Sequence, residues 1–190
     1  MKAPASGPRH QVRIIGGQWR RSLLPVADRP GLRPTPDRVR ETLFNWLGQD
    51  LSGWRVLDAF AGSGALGFEA ASRGAAEVLL VEQDPVLSRS LNDSRERLKA
   101  TNLRVQRGDA MAVLRAAAGR YELVLLDPPF DAGLGPAALA AAARAVVPGG
   151  WVYLEAGAAP PAEWPAGLAL HRSGRAGAVH YALFHAAEPA

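Results

Sequence analysis

Cysteine is absent from all 190 residues. That excludes disulfides and thiolate metal sites, and it suits a reducing compartment. Only four histidines occur (His10, His171, His180 and His185), with no metal-ligand spacing, so no metal is expected. No apolar run reaches the roughly 20 residues that a bilayer-spanning helix needs, so no membrane partner is expected. The opening MKAPASGPRHQ has no apolar stretch of the kind a secretory signal requires. Residues 1–10 read as a short disordered tail, and the expected location is cytoplasmic. No internal repeat occurs and nothing asks for an obligate dimer, so a monomer is expected.

What is present is apolar and unevenly basic. Hydrophobic residues make up 48% of the chain, enough for the core of one ordinary domain. Residues 1–55 hold ten Lys/Arg against four Asp/Glu, whereas the remaining residues are slightly acidic. A basic segment on a near-neutral domain is the electrostatic footprint of a nucleic-acid partner, and equally that of a solvated arginine-rich face.

From residue 54 onward, β-like runs alternate with helical ones. WRVLDAF (54–60), EVLLVEQ (77–83), LRVQRGD (103–109), YELVLLD (121–127) and WVYLEA (151–156) read as strands. Helices are expected over 64–74, from Asp84 and Pro85 to about Ala100, over 110–119, and over 135–147 until Pro148, Gly149 and Gly150 stop the last one. This is the pattern of a doubly wound α/β domain with a mostly parallel sheet. LALHRS (168–173) and AVHYALFH (178–185) have no helix between them and should close the sheet as an antiparallel hairpin.

Residues 11–53 form a separate basic extension ahead of a domain spanning 54–190. It reads as a strand with a glycine turn (11–17), a Pro/Gly-rich loop (28–36) and a helix (36–48). Thr35 is the expected helix N-cap, and Val39, Leu43, Trp46 and Leu47 the expected apolar face.

DAFAGSGALGFE (58–69) places Gly62, Gly64 and Gly67 between a strand and a helix, the context in which a G-x-G-x-x-G cradles a nucleotide-type ligand. Glu82 ends the second strand of the domain and suits ribose hydroxyls; Asp109 ends the third and suits an adenine amino group. Each acid alone is an ordinary strand-end carboxylate, but three successive strand ends point to an adenosine site. Asp58 lies four residues before Gly62, and no basic residue falls between 56 and 72. An acid there suits a cationic ligand better than a diphosphate. S-adenosylmethionine, leaving as S-adenosylhomocysteine, is therefore expected rather than a nicotinamide dinucleotide.

VLLDPPF (124–130) ends the fourth strand on Asp127, Pro128, Pro129 and Phe130. A turn alone would explain an Asp-Pro pair. On this fold, however, the segment reaches the reactive end of the cofactor. A carboxylate and a backbone carbonyl there can accept both hydrogens of an exocyclic amine and aim its lone pair at a methyl group. The prolines hold the acceptors rigid, and a ring can stack on a base.

RIIGGQWR (13–20), LRPTPDRVRETLFNWL (32–47), VLDAFAGSGALGFEA (56–70) and DPPF (127–130) together resemble the RsmD family of bacterial 16S ribosomal RNA guanine-N2 methyltransferases. The resemblance runs from about residue 11 to the terminal hairpin. DPPF alone also occurs in adenine-N6 and glutamine methyltransferases; the two N-terminal stretches are more specific. The resemblance implies the class I methyltransferase fold, a Rossmann-like, seven-stranded, mostly parallel sheet. It implies a substrate in small-subunit ribosomal RNA, free or within a small ribosomal subunit or assembly intermediate. It also implies that Asp127 and Pro128 hold the amine, with Pro129 beside them, and that Phe130 holds the base. Asp58, Ala59, Phe60, Gly62 and Gly64, with Glu82, Gln83, Asp109 and Ala110, would hold the cofactor. Arg13, Arg20, Arg21, Arg33 and Arg38 are the expected RNA contacts. A DPPF-type amino methyltransferase acting on adenine N6 of nucleic acid is the alternative.

Overall fold

A computed structural model describes residues 10–190, so the expected tail, His10 apart, lies outside the described residues. The chain from residue 55 alternates as expected: β3 (Arg55–Asp58), α2 (Ala65–Ser72), β4 (Glu77–Glu82), α3 (Pro85–Arg97), β5 (Leu103–Arg107), α4 (Ala110–Ala116), β6 (Tyr121–Leu126), α5 (Gly135–Ala145) and β7 (Val146–Ala156). The terminal hairpin is β8 (Leu168–Ala176) with β9 (Val179–Ala186). Ahead of them come β1 (Gln11–Arg13), β2 (Leu23–Pro25) and α1 (Asp37–Leu47).

One seven-stranded sheet, in the order β5-β4-β3-β6-β7-β9-β8, carries the domain. Neighbours from β5 through β7 pair in parallel, and β9 runs antiparallel to both β7 and β8. Apolar side chains point both ways because both faces are covered. Val56, Leu80, Leu123, Leu125 and Tyr153 meet α1, α2, α3 and the N-terminal segment. Leu57, Val124, Leu126, Val152 and Phe184 meet α4 and α5. The strand order reverses between β3 and β6, so their carboxyl ends open a crevice, the usual ligand position in such sheets.

Local chemistry explains the element ends. Asp84 caps α3 by accepting from the amides of Val86 and Leu87, with Pro85 in the first turn. Gly74 adopts φ +96° just past α2. The structure differs from expectation in the strand before the hairpin. Pro148, Gly149 and Gly150 do not merely stop α5; β7 starts at Val146 and absorbs them through a register shift against β6. The short strand β2 carried no clear signal, because three residues show no periodicity.

The N-terminal segment is welded to the domain through one carboxylate. Glu69 of α2 is fully buried. Its oxygens accept from the amides of Ile15 and Gly16 at 2.9 Å each, from Arg73 Nε at 2.9 Å and from Arg40 Nη1 at 3.3 Å. Arg40, also fully buried, further donates to the carbonyls of Arg13 and Thr35 and to Asp37. The neighbouring glycine is needed: Gly17 sits at φ +78°, and a Cβ there would lie 1.8 Å from the carbonyl oxygen of Ser72. Ser72 also takes the amides of Gln18 and Trp19.

This seat extends one expectation about α1 and corrects another. Its buried residues are Val39, Arg40, Leu43 and Phe44, while Trp46 and Leu47 are only half-buried. The apolar periodicity concealed the turn, because the helix is seated partly on an ion pair. Thr35 is not the N-cap; Pro36 holds that place without a side-chain bond, and the Thr35 hydroxyl points elsewhere.

Glu69→Ala leaves two buried guanidinium groups without their shared carboxylate. It should cost about 3–5 kcal/mol, read as a lowered midpoint in urea denaturation, and should free residues 11–47 to proteolysis.

Candidate active site

The carboxyl edge of the sheet gathers the expected residues. Asp58 ends β3 and is 1% exposed. Its Oδ2 accepts from the amide of Gly67 at 3.0 Å, while its Oδ1 is buried with no partner. Burial is the main cause that pushes the Asp58 carboxyl up to about 7, against the Gly67 hydrogen bond, with the charges of Glu82 and Glu155 adding to the rise. A buried carboxylate oxygen left without a partner beside a glycine loop is able to accept from a cationic donor.

The loop between Asp58 and α2 is shaped for close approach. Gly64 adopts φ +82°, and a Cβ there would lie 2.6 Å from Leu91 Cδ2. On Gly67 a Cβ would lie 2.0 Å from Leu80 Cδ2, so the third glycine lets α2 rest on β4. The amides of Ala59 and Ala61 are held by the carbonyls of Leu125 and Val81. Glu82 clamps the loop from the far side: Oε2 accepts from the Gly62 amide at 2.9 Å and Oε1 from the Asp84 amide at 3.0 Å. Each of its oxygens keeps a lone pair for a ribose hydroxyl. Asp109 is exposed and caps α4 by accepting from the Met111 amide, which leaves Oδ2 free of that bond. Gln83 is exposed at the same edge, Phe60 is half-buried, and Ala110 is buried under Asp109.

Asp127 follows β6, and Leu126 lies beside Leu154 of β7. Pro128 is buried, whereas Pro129 and Phe130 are exposed. Phe130 is 49% exposed, an unusual fate for a phenyl ring, and packs on one side against Gly157, where a Cβ would lie 3.3 Å from its ring. Next to Gly157, Ala156 and Ala158 line an apolar cavity of about 210 Å³ with Leu139, Leu154, Pro160 and Tyr181. A more polar cleft of about 400 Å³ lies at the opposite edge of the sheet, around Glu77, Arg104 and Arg120, and holds none of the strand-end acids.

The N-terminal segment also reaches this edge. Arg29 pairs with Asp84 at 3.2 Å, Leu32 comes within 3.1 Å of where a Gly62 Cβ would be, and the Thr35 hydroxyl donates to Glu155 at 2.7 Å. Residues 29–35 thus strap the carboxyl edge from the β4 end to the β7 end. Arg13, Arg20, Arg21, Arg33 and Arg38 are all exposed, and none is in a salt bridge among the described residues. Arg21 holds φ +71°, a strained backbone for a side chain of its kind. The sequence reading missed Glu155, Glu69 and Arg40; buried charges inside apolar segments announce themselves only as breaks in periodicity.

The family described as Conserved hypothetical protein 95 matches residues 12–185. Ribosomal RNA small subunit methyltransferase D of Escherichia coli is 45% identical, covering 97% of this chain and 94% of its own. Its namesake in Haemophilus influenzae is 36% identical, covering 92% of this chain and 93% of its own. The solved structure of the yhhF protein of Escherichia coli superposes with a TM-score of 0.84 at 43% identity, over 95% of this chain and 100% of that one.

The raised carboxyl of Asp58 has a sign that can be checked. The folded state holds its proton up to about 7, whereas the unfolded chain releases it near 3.8. Stability from this group therefore falls as pH rises through that window. Asp58→Asn should flatten the decline in urea stability between about pH 4 and pH 7 and leave the protein more stable than the parent at the upper end.

Proposed function

The chain belongs to the Conserved hypothetical protein 95 family, the RsmD family that its motifs resemble, and from that premise we propose that it methylates the exocyclic N2 amine of a guanine in small-subunit ribosomal RNA. The methyl donor is S-adenosylmethionine, which when bound supplies an activated methyl group on a sulfonium. The observation that carries this reading is the meeting at one switch point of the unpartnered Asp58 oxygen and the Asp127-Pro128-Pro129-Phe130 corner.

In this reading Asp58 takes the donor's ammonium, and Ala59, Phe60, Gly62 and Gly64 line it closely. Glu82 takes the ribose, with Gln83 beside it, and Asp109 and Ala110 border the adenine. Asp127 and the Pro128 carbonyl accept the two amine hydrogens. An amine conjugated to a purine is a poor nucleophile, because its lone pair is spread into the ring. Two fixed acceptors draw the nitrogen toward a tetrahedral shape and aim the lone pair; Pro128 and Pro129 keep them in place. The half-exposed ring of Phe130 stacks on the base, which must leave any paired or stacked context to reach it. The exposed arginines Arg13, Arg20, Arg21, Arg33 and Arg38 hold phosphates around it. The basic extension is accordingly a working part of the enzyme, whose substrate is the RNA alone, the small subunit or an assembly intermediate.

Transfer of label from S-adenosylmethionine should appear in small subunits or their RNA as N2-methylguanosine, and should fall about a hundredfold or more in Asp127→Ala. Label in adenine of duplex DNA instead would overturn the substrate reading. Arg21→Gly relieves the left-handed backbone and should stabilise the fold by about 1 kcal/mol. The same change should weaken RNA binding and lower its salt slope by about one unit. An unchanged slope removes Arg21 from the RNA surface.

A further inference from the structure

Glu155 is a buried acid at the carboxyl edge that the reaction as described leaves unused. It is 2% exposed. Because Leu126 lies beside Leu154 on parallel strands, the next residues, Asp127 and Glu155, stand side by side on one face of the sheet. Their carboxyl groups are within hydrogen-bonding contact. Glu155 Oε1 accepts from the Thr35 hydroxyl at 2.7 Å and from the Tyr153 hydroxyl at 2.8 Å. The surroundings offer little positive charge. Asp58 faces the pair from β3, Tyr153 from β7 and Tyr181 from β9. Arg40 of α1 is the nearby cation, and it is already committed to Glu69 and Asp37.

Two carboxyl groups in contact, Glu155 buried and Asp127 half-buried, without a cation of their own, do not both ionise readily. We propose that Glu155 is a positioning residue for Asp127, that the two share one proton in the resting enzyme, and that Glu155 thereby makes Asp127 a base able to take the proton the amine sheds. This rests on the reading of Asp127 as the amine acceptor. The two hydroxyl donors on Glu155 favour its anion, so the shared proton resides on Asp127. Burial first, then the charges of Glu155 and Asp58, push Asp127 well above the ordinary carboxylate range. Burial also raises Glu155, against the opposing Thr35 and Tyr153 hydroxyls.

Asp127 must be ionised to accept the amine hydrogens. The nitrogen lone pair forms the N–C bond while the S–C bond breaks with its electrons left on sulfur. One amine proton passes to Asp127, restores the resting pair, and is returned to water before the next turnover. Thr35 thus links the N-terminal strap to the ionisation of the catalytic carboxylate.

The test has a spectroscopic and a kinetic readout. Infrared difference spectra near neutral pH, taken in an Asp58→Asn background so that the raised Asp58 carboxyl adds no band of its own, should show one protonated carboxyl band that is lost when Glu155→Gln is added, where Asp127 no longer faces a like charge. Asp127→Asn should lose the same band from the other side, which keeps the test alive if the first variant folds poorly. Thr35→Val keeps both carboxyls and should keep the band. In methyl transfer, the acid limb of the Glu155→Gln pH profile should move down by about one unit or more. A band that survives in both carboxyl variants overturns the proposal. So does a Glu155→Gln rate lowered by one factor at every pH, the mark of a merely structural role. If no methyl transfer is found in any substrate, the proposed function falls, and the infrared band still decides the shared proton.

Discussion

The Glu69 carboxylate is the constraint on which the rest depends. It sits on the helix that leaves the glycine loop, and it gathers two backbone amides and Arg40 from elements remote in sequence, with Arg73 from the end of its own helix. A buried acid with one partner is a liability; with four donors it is a fixed point. Because α2 is itself pinned by Gly67 against Leu80 and Asp58, the glycine loop and the N-terminal segment share one rigid anchor. The strap over residues 29–35 then reaches the carboxyl edge with little freedom to drift.

That edge concentrates acids where the protein is least able to solvate them. Asp58, Asp127 and Glu155 lie on one face of three adjacent strands, with burial the largest cause of the shift at each. Folding alone would not select such a cluster, since each ionised group there opposes stability. In the proposed reaction a cationic ligand and a proton-shedding amine give the cluster its use. The same logic covers Arg21, where a residue with a long charged side chain occupies a backbone conformation that glycine would take without strain.

Much of this was legible from residues alone. The alternating runs, the Asp84 cap with Pro85, the glycine loop and the closing hairpin all follow from short-range chemistry, and the structure carries each of them. Asp58, Glu82, Asp109 and Asp127 could be picked out because strand ends in such a sheet meet at one edge. The face of α1 was legible at Val39, Leu43, Trp46 and Leu47, all of which pack on the core, but not at Arg40, because only its partner across the fold explains why it is buried. Thr35 looked like a helix cap, since a threonine before a proline is a good local one. Its real acceptor, Glu155, is 120 residues away.

The sequence by itself determined the class of the sheet, the loop that approaches a ligand and the corner that ends β6, because each depends on residues within a turn or two of one another. Only the tertiary structure decided which charges are buried together. It set Glu69 under Arg40, laid the strap across the carboxyl edge, and stood Glu155 beside Asp127. Those pairings arise from strand register and helix packing between distant segments. Electrostatic energy depends on distance and burial, and neither can be read from spacing along the chain.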